Sequence, residues 1–270
     1  MTAAPAVRSH VRRNFSSHAQ EYERYAVVQA RVIARLVGLL RERAPFRGPV
    51  LDIGCGTGLL AAALRPLCPQ VTLVVSDLAH GMTCQARRRL PQSLALDADG
   101  CALPLADARF SLVCSSSVYQ WVPDLEKAFG EADRVLLPGG VFAFALFGHE
   151  TLFELKNSHH FALSQVGEGR SSHFQTFPDI QLVRGAMEKR DFHSLHVFEE
   201  REIEYHPDVA RLLRSLKGIG AQNASAHRPP GLASRRVMQC MAEHYTRQYG
   251  GPEGVPATYQ VIYGVGVKGD

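Results

Sequence analysis

The stretch "VLDIGCGTG", residues 50–58, sets Gly54, Gly56 and Gly58 directly behind a short apolar run. A run of this length reads as a buried strand. Glycine immediately after it lets the chain turn sharply into a helix and lets a ligand approach backbone that a Cβ would block. "TGLLAAALRPL" then reads as a helix stopped near Pro66 and Pro69, and "VTLVVSD" as a second buried strand, so a β-α-β unit closes within thirty residues.

The same alternation continues. A helix is predicted near Gly81 to Leu90, strands at Ser93 to Leu96 and at "FSLVCS" (110–115), a helix from Asp124 to Leu136, and a strand "GVFAFALF" (140–147). Such an order calls for a parallel sheet with helices on both faces. Upstream, Val28, Ile33, Leu36, Val37 and Leu40 recur at helical spacing, opposite Arg31 and Arg35. Beyond Gly148 the rhythm changes: helices are expected at 151–165, 178–189, 208–216 and 232–248, with an extended segment at 192–205 and a last strand "TYQVIYGVGVK". A chain that leaves the sheet to build helices and returns with a terminal strand carries an inserted cap.

Composition narrows the class. The 270 residues are 46% hydrophobic and 21% charged, enough to bury a full core. No run approaches the roughly 18 apolar residues of a membrane span, and the N-terminal stretch lacks the apolar core of a signal peptide, so a cytoplasmic protein with no membrane partner is expected. The six cysteines form no C-x-x-C pair and no zinc-like spacing, which predicts reduced, mostly buried thiols and no metal. The net charge of +4 gathers locally at Arg8, Arg12 and Arg13, at Arg87 to Arg89, and at Arg235 and Arg236. There is no basic stripe with interleaved aromatics, so nucleic acid is not the expected substrate.

The glycine pattern is G-x-G-x-G and not the dinucleotide G-x-G-x-x-G, so its neighbours must identify the ligand. Asp77 closes the second strand, where a carboxylate can take both ribose hydroxyls of an adenosine. Asp99, near the end of the third strand, can accept from an adenine amino group, although "DADG" also offers Asp97. Asp52, just before the loop, can face an ammonium. Three acidic residues at successive strand ends suit a cationic adenosine ligand better than a pyrophosphate. S-adenosylmethionine, with its sulfonium, ammonium and adenosine, has that chemistry.

In order, "VLDIGCGTG", "VVSDLAHGM", "LPLADARFSLVCSSSVYQWVPD" and "EADRVLLPGGVFAFALFG" resemble the cofactor motifs of class I methyltransferases. The flanking segments "NFSSHAQEYERYAVVQ" (14–29), "GHETLFELKNS" (148–158), "LLRSLKGIGAQN" (212–223) and "PATYQVIYGVGVK" (256–268) resemble the malonyl-acyl-carrier-protein O-methyltransferases of biotin synthesis. The first and third of these are the more specific. The resemblance implies an α/β, Rossmann-like class I methyltransferase fold: a mostly parallel seven-stranded sheet with helices on both faces, an antiparallel strand at its edge and an inserted helical cap. A single methyltransferase domain, 1–270, is expected, with an N-terminal helical lid (1–45), a cofactor core (46–148), a helical substrate region (149–256) and a terminal strand (257–270).

Carried over by motif, Gly54, Gly56 and Gly58 would approach the methionine part of S-adenosylmethionine, Asp77 the ribose, and Asp99 with Gly100 the adenine; Cys55, Leu78 and Met82 are further expected cofactor-binding residues. Ser115 and Ser116 line the methyl-transfer side. Tyr22 and Gln29 match an N-terminal helix that closes over the cofactor. The sequence departs from the family at Cys101, where an acidic residue is frequent, and at His149, where proline is common.

Methyl transfer from a sulfonium is an in-line displacement by an already activated donor, so alignment and exclusion of water matter most. A carboxylate acceptor, ionised above about pH 4, needs no general base, and "SSSVYQW" in place of an N-P-P-Y-like stretch argues against amino methylation. Lys217, Arg214 and Arg211 are the candidates for holding a malonyl carboxylate, with His149 beside them. Tyr22 and Trp121 are the expected catalytic residues, Tyr22 by orienting the acceptor or covering the sulfonium and Trp121 as a pocket wall. An acidic acyl-carrier protein bearing malonyl would dock on one of the arginine groups; malonyl-coenzyme A is the other thioester the sequence allows. A methyltransferase for another small molecule, and a protein that binds S-adenosylmethionine without turnover, stay open. The oligomeric state is not legible.

Overall fold

A computed structural model describes residues 3–166, 176–220 and 235–269, with side chains from Ser9 onward. The C-terminal end of the 212–223 segment, the start of the helix expected at 232 and the side chain of Arg8 lie outside the described residues.

The elements run α1 (Ala3–His18), α2 (Tyr22–Tyr25), α3 (Val27–Arg41), β1 (Val50–Ile53), α4 (Leu59–Leu64), β2 (Leu73–Asp77), α5 (His80–Arg89), β3 (Leu94–Asp97), β4 (Phe110–Ser116), α6 (Leu125–Val135), β5 (Leu136–Phe147), α7 (Phe153–Val166), α8 (Ile180–Glu188), β6 (Phe192–His206), α9 (Val209–Gly218), α10 (Arg235–Tyr249) and β7 (Val255–Lys268). Pro66 falls in a short 3-10 turn at Arg65–Leu67 that ends α4, since proline tolerates the first turn of a helix and cannot continue one. The seven strands form one sheet in the order β3-β2-β1-β4-β5-β7-β6. Strands β1 to β5 are mutually parallel, and β7 runs antiparallel to both β5 and β6. The antiparallel strand is therefore not the edge: it slots between β5 and β6, and β6 forms the border.

Strand periodicity divides the core in two. On β5, Val141, Ala143, Ala145 and Phe147 face a layer containing α3, α4, α7 and α10. Phe142, Phe144 and Leu146 face α6 and α8 across the sheet, where Tyr119, Phe129, Phe142 and Phe144 pack as an aromatic cluster with centroids 4.8–6.1 Å apart. The N-terminal segment expected as one helix carrying Tyr22 and Gln29 is divided: Tyr22 lies on α2 and Gln29 on α3, with Ala26 as the break. The helix α1 precedes both and packs on α5, where the Gly81 amide donates to Ser16 Oγ at 2.9 Å.

The chain order reverses between β1 and β4. Successive strands build outward from β1 to β3, then the chain returns to lay β4 on the other side of β1. A crevice opens at the carboxyl ends of strands at such a reversal, and the ligand site of an open α/β sheet is expected there. Among the described residues no disulfide joins any of the six cysteines, and four of them are buried. Among the described residues no helix is long and apolar enough to cross a membrane.

The inserted helix α7 is pinned to β7 by Glu154, which is buried and accepts from the Thr258 hydroxyl and from the Thr258 amide at 3.3 Å. Glu154→Ala leaves both donors without a partner in the core, a loss expected to cost about 2 kcal/mol, read as a lower urea midpoint at unchanged slope.

Candidate functional site

The glycine loop leaves β1 at Ile53 with positive φ at Gly54, Gly56 and Gly58. Gly54 and Gly56 line a pocket; at Gly56 a Cβ would meet nothing within 4 Å, so the backbone there is open to a ligand. Gly58 has a different duty. It caps α4 in the left-handed conformation, and a Cβ there would lie 3.2 Å from the Ala86 backbone, so it lets α4 and α5 approach and does not line the pocket.

Asp77 ties this loop to the next unit. Its Oδ2 accepts from the Gly56 amide at 2.9 Å and its Oδ1 from the Ala79 amide at 2.8 Å, just before α5. Burial pushes its carboxyl up to about 6, against the pull of these amides. Asp52 is more exposed to the same cost. It sits within β1 at 1% exposure, neither oxygen has a hydrogen-bond partner of good geometry among the described residues, and burial pushes its carboxyl up to about 8, while the nearby Ala61 amide works in the other direction. A buried acid with so little donor support is unusual, because desolvating it costs free energy that the Ala61 amide offsets only in part.

The rest of the wall follows. Leu78, Met82, Asp99 and Gly100 line it, with Cys55 and Cys101. Asp99 Oδ1 accepts from the Cys101 amide at 2.9 Å, closing the turn after β3. Its neighbour Asp97 is engaged elsewhere, with Thr83 Oγ1 at 2.5 Å and His80 Nδ1 at 2.8 Å, and does not line the pocket. At the end of β4, Ser116 lines the pocket and Ser115 does not: the Ser115 hydroxyl is buried and donates to the Ile53 carbonyl at 2.8 Å. Ser117 follows with φ +59°, held by Gln120, whose Nε2 donates to the Ser117 carbonyl at 2.7 Å. Among the described residues the buried hydroxyls of Thr57, Ser116 and Ser117 have no hydrogen-bond partner.

A lid of three helices covers this crevice through Val11 and Phe15 of α1, Tyr22 of α2, and Gln29 and Ile33 of α3. Burial and the charge of Asp77 push the Tyr22 phenol up. Phe15 stands 6.4 Å from Tyr22 and 5.7 Å from Trp121, so lid and wall share one aromatic contact. Arg89 fastens the lid: its Nε donates to the Thr57 carbonyl at 3.0 Å and its Nη2 pairs with Glu23 of α2. Val11, Phe15, Ile33, Ser117, Val118 and Tyr119 were not singled out as site residues by sequence; "SSSVYQW" was the available signal for the last three.

The expected substrate cations are not brought to the pocket. Arg211, Arg214 and Lys217 are exposed along α9 and line none of it, though Gly218 packs under Tyr25 and Gly220 against Asn14, so the end of α9 abuts the outside of the lid. His149 is exposed and also outside the lining; its backbone contacts Pro178 and Lys156. The side chains of Arg12, Arg13, Arg87, Arg88, Arg235 and Arg236 are exposed, whereas Arg89 is committed to the lid.

Chemically, the pocket offers buried carboxylates, free hydroxyls and aromatic rings. No His, Lys or Arg is among its described lining residues. The crevice is partly open to solvent. The residue types present are compatible with the expected S-adenosylmethionine: three carboxyl groups, Asp52, Asp77 and Asp99, stand around the glycine loop in the lining, and Asp77 uses only one lone pair of each oxygen.

Residues 51–144 match the family model described as a methyltransferase domain. Over 264 residues the chain is 46% identical to a malonyl-acyl-carrier-protein O-methyltransferase of Geobacter sulfurreducens, covering 97% of this chain and 99% of that one. A second relative of that name, from Halorhodospira halophila, is 35% identical over 94% of this chain and 85% of its own. Among crystal structures, the YcgJ protein of Bacillus subtilis shares the fold with a TM-score of 0.61 at 15% identity, over 88% of this chain and 99% of that one.

The raised carboxyl of Asp52 makes the ligand-free protein pH-sensitive. Because the folded value near 8 exceeds the unfolded 3.8, this group's contribution to stability is complete below about pH 4 and is lost as pH rises through 8; Asp77 adds the same trend through about 6. Asp52→Asn is therefore expected to raise the ligand-free melting temperature more at pH 8.5 than at pH 5.5, measured by calorimetry at both.

Proposed function

This chain belongs to the malonyl-acyl-carrier-protein O-methyltransferases, and we propose that it converts the free carboxylate of a malonyl thioester, carried on an acyl-carrier protein, to the methyl ester, as a step of biotin synthesis. It is an S-adenosylmethionine-dependent methyltransferase. The observation that carries the acceptor reading is the pocket itself: buried acids without counter-ions, and no imidazole or ammonium among the described lining residues.

S-adenosylmethionine supplies a methyl group already activated on sulfur. The chain's residues have the remaining work. Asp52, whose carboxyl burial pushes up to about 8, would hold the ammonium, and that charge would favour its ionised form. Asp77 would keep its two amide bonds and offer its remaining lone pairs to ribose hydroxyls. Asp99 and Gly100 would border the base. Tyr22 and Trp121, with Phe15 between them, wall off water from the reacting side. Ser116 and Ser117 line that side, with their hydroxyls buried. A carboxylate acceptor arrives ionised, so no proton moves and the absent base is not missed. A phenol or carbon acid would need one. The methyl ester removes the acceptor's charge, which allows the acyl chain to enter apolar tunnels where a free carboxylate would be costly.

Two measurements check this reading. Incubation with S-adenosylmethionine and either malonyl- or acetyl-carrier protein is expected to add one methyl to the malonyl form alone, read by intact mass; no methyl on either overturns the assigned acceptor. Asp52→Asn is expected to weaken S-adenosylmethionine binding by roughly ten- to a hundredfold, the range of a lost charged hydrogen bond, by titration calorimetry. An unchanged affinity would remove Asp52 from the ammonium site.

A further inference from the structure

From the pocket, a row of aromatic rings leads outward to a cation. Phe15 meets Trp121, Trp121 meets Phe177 edge-on with centroids 5.5 Å apart, and Lys156 Nζ stands 5.9 Å from the centroid of Phe177. Lys156 projects from α7, is half-buried, and donates to the His149 carbonyl at 2.7 Å. No carboxylate pairs with it among the described residues. The acids beside it in sequence are occupied, Glu150 with Arg201 and Glu154 with Thr258.

Arg211, Arg214 and Lys217 compare poorly with it. They are solvated, and a cation in water gains little from a new partner. Lys156 keeps its charge partly out of water with only a carbonyl and a ring face to compensate, and burial alone pulls its pKa down. An arriving anion would offset that cost, which a neutral acyl group could not do. Its flexible stem can exchange the His149 carbonyl for such a partner without moving α7.

We propose that Lys156 is the cation that receives the carboxylate end of the acceptor as it enters along the Trp121 and Phe177 wall. This assignment rests on the acceptor class proposed above. It makes Lys156 a specificity residue: it distinguishes a malonyl from an acetyl thioester by charge.

The test is equilibrium binding of malonyl- and acetyl-carrier protein to the protein saturated with S-adenosylhomocysteine, which reads the site without turnover. The wild-type protein is expected to prefer the malonyl form. Lys156→Met is expected to weaken the malonyl form at least tenfold, leaving acetyl-carrier and S-adenosylhomocysteine affinity unchanged, and Lys156→Arg to restore most of the preference. The proposal is overturned if the wild-type protein shows no preference or if the preference survives Lys156→Met. It is equally overturned if both carriers weaken together with a fall in melting temperature that Lys156→Arg does not repair, since that marks a packing role. Methyl transfer is scored separately. Preference without transfer sinks the proposed reaction and leaves Lys156 in place, whereas transfer with preference intact in Lys156→Met does the reverse.

Discussion

The Asp77 carboxylate is the joint on which the site depends. By accepting from Gly56 on one side and Ala79 on the other, it fixes the glycine loop relative to the start of α5 and sets the end of β2 between them. Two amide donors make it affordable to hold a carboxylate in a crevice that raises its pKa, and they use only one lone pair of each oxygen. Loop shape thus comes from one side chain that also lines the pocket. Asp52, at the neighbouring strand, has no comparable pair of amide donors among the described residues, and burial raises its carboxyl further.

The sheet explains why these groups meet. Parallel strands buried on both faces leave no room for polar side chains except at their ends, and the reversal between β1 and β4 pulls the two following loops apart. The glycine loop and the Ser116 to Trp121 segment then form opposite banks of one crevice. The aromatic cluster under Tyr119 anchors the second bank in the core, so the left-handed Ser117 is held from below by packing and from the side by Gln120.

What could be read from sequence follows the same division. Runs such as "VLDIG" and "LVVSD" announce strand, end and carboxylate together, because period-2 burial and glycine chemistry are local. The inserted helices could be placed from their periodicity. Other features depend on packing between distant segments. Gly58 belongs to the glycine pattern but serves the α4 to α5 contact, and Ser115 belongs to the serine run but bonds within the sheet; spacing cannot separate them from their ligand-facing neighbours. The helix α1, rich in arginine and without an acidic first turn, gave no clear apolar period, so Val11 and Phe15 were missed. Likewise, nothing local tells that β7 enters between β5 and β6, or that Lys156 lies near Phe177.

The Phe15 ring has a consequence for how the crevice is held together. It touches Tyr22 on the lid and Trp121 on the bank that follows β4, so one side chain of α1 joins two parts of the wall that are about a hundred residues apart in sequence. The packing of the N-terminal helix is thereby tied to the shape of the pocket, and a substitution that loosens α1 changes both at once.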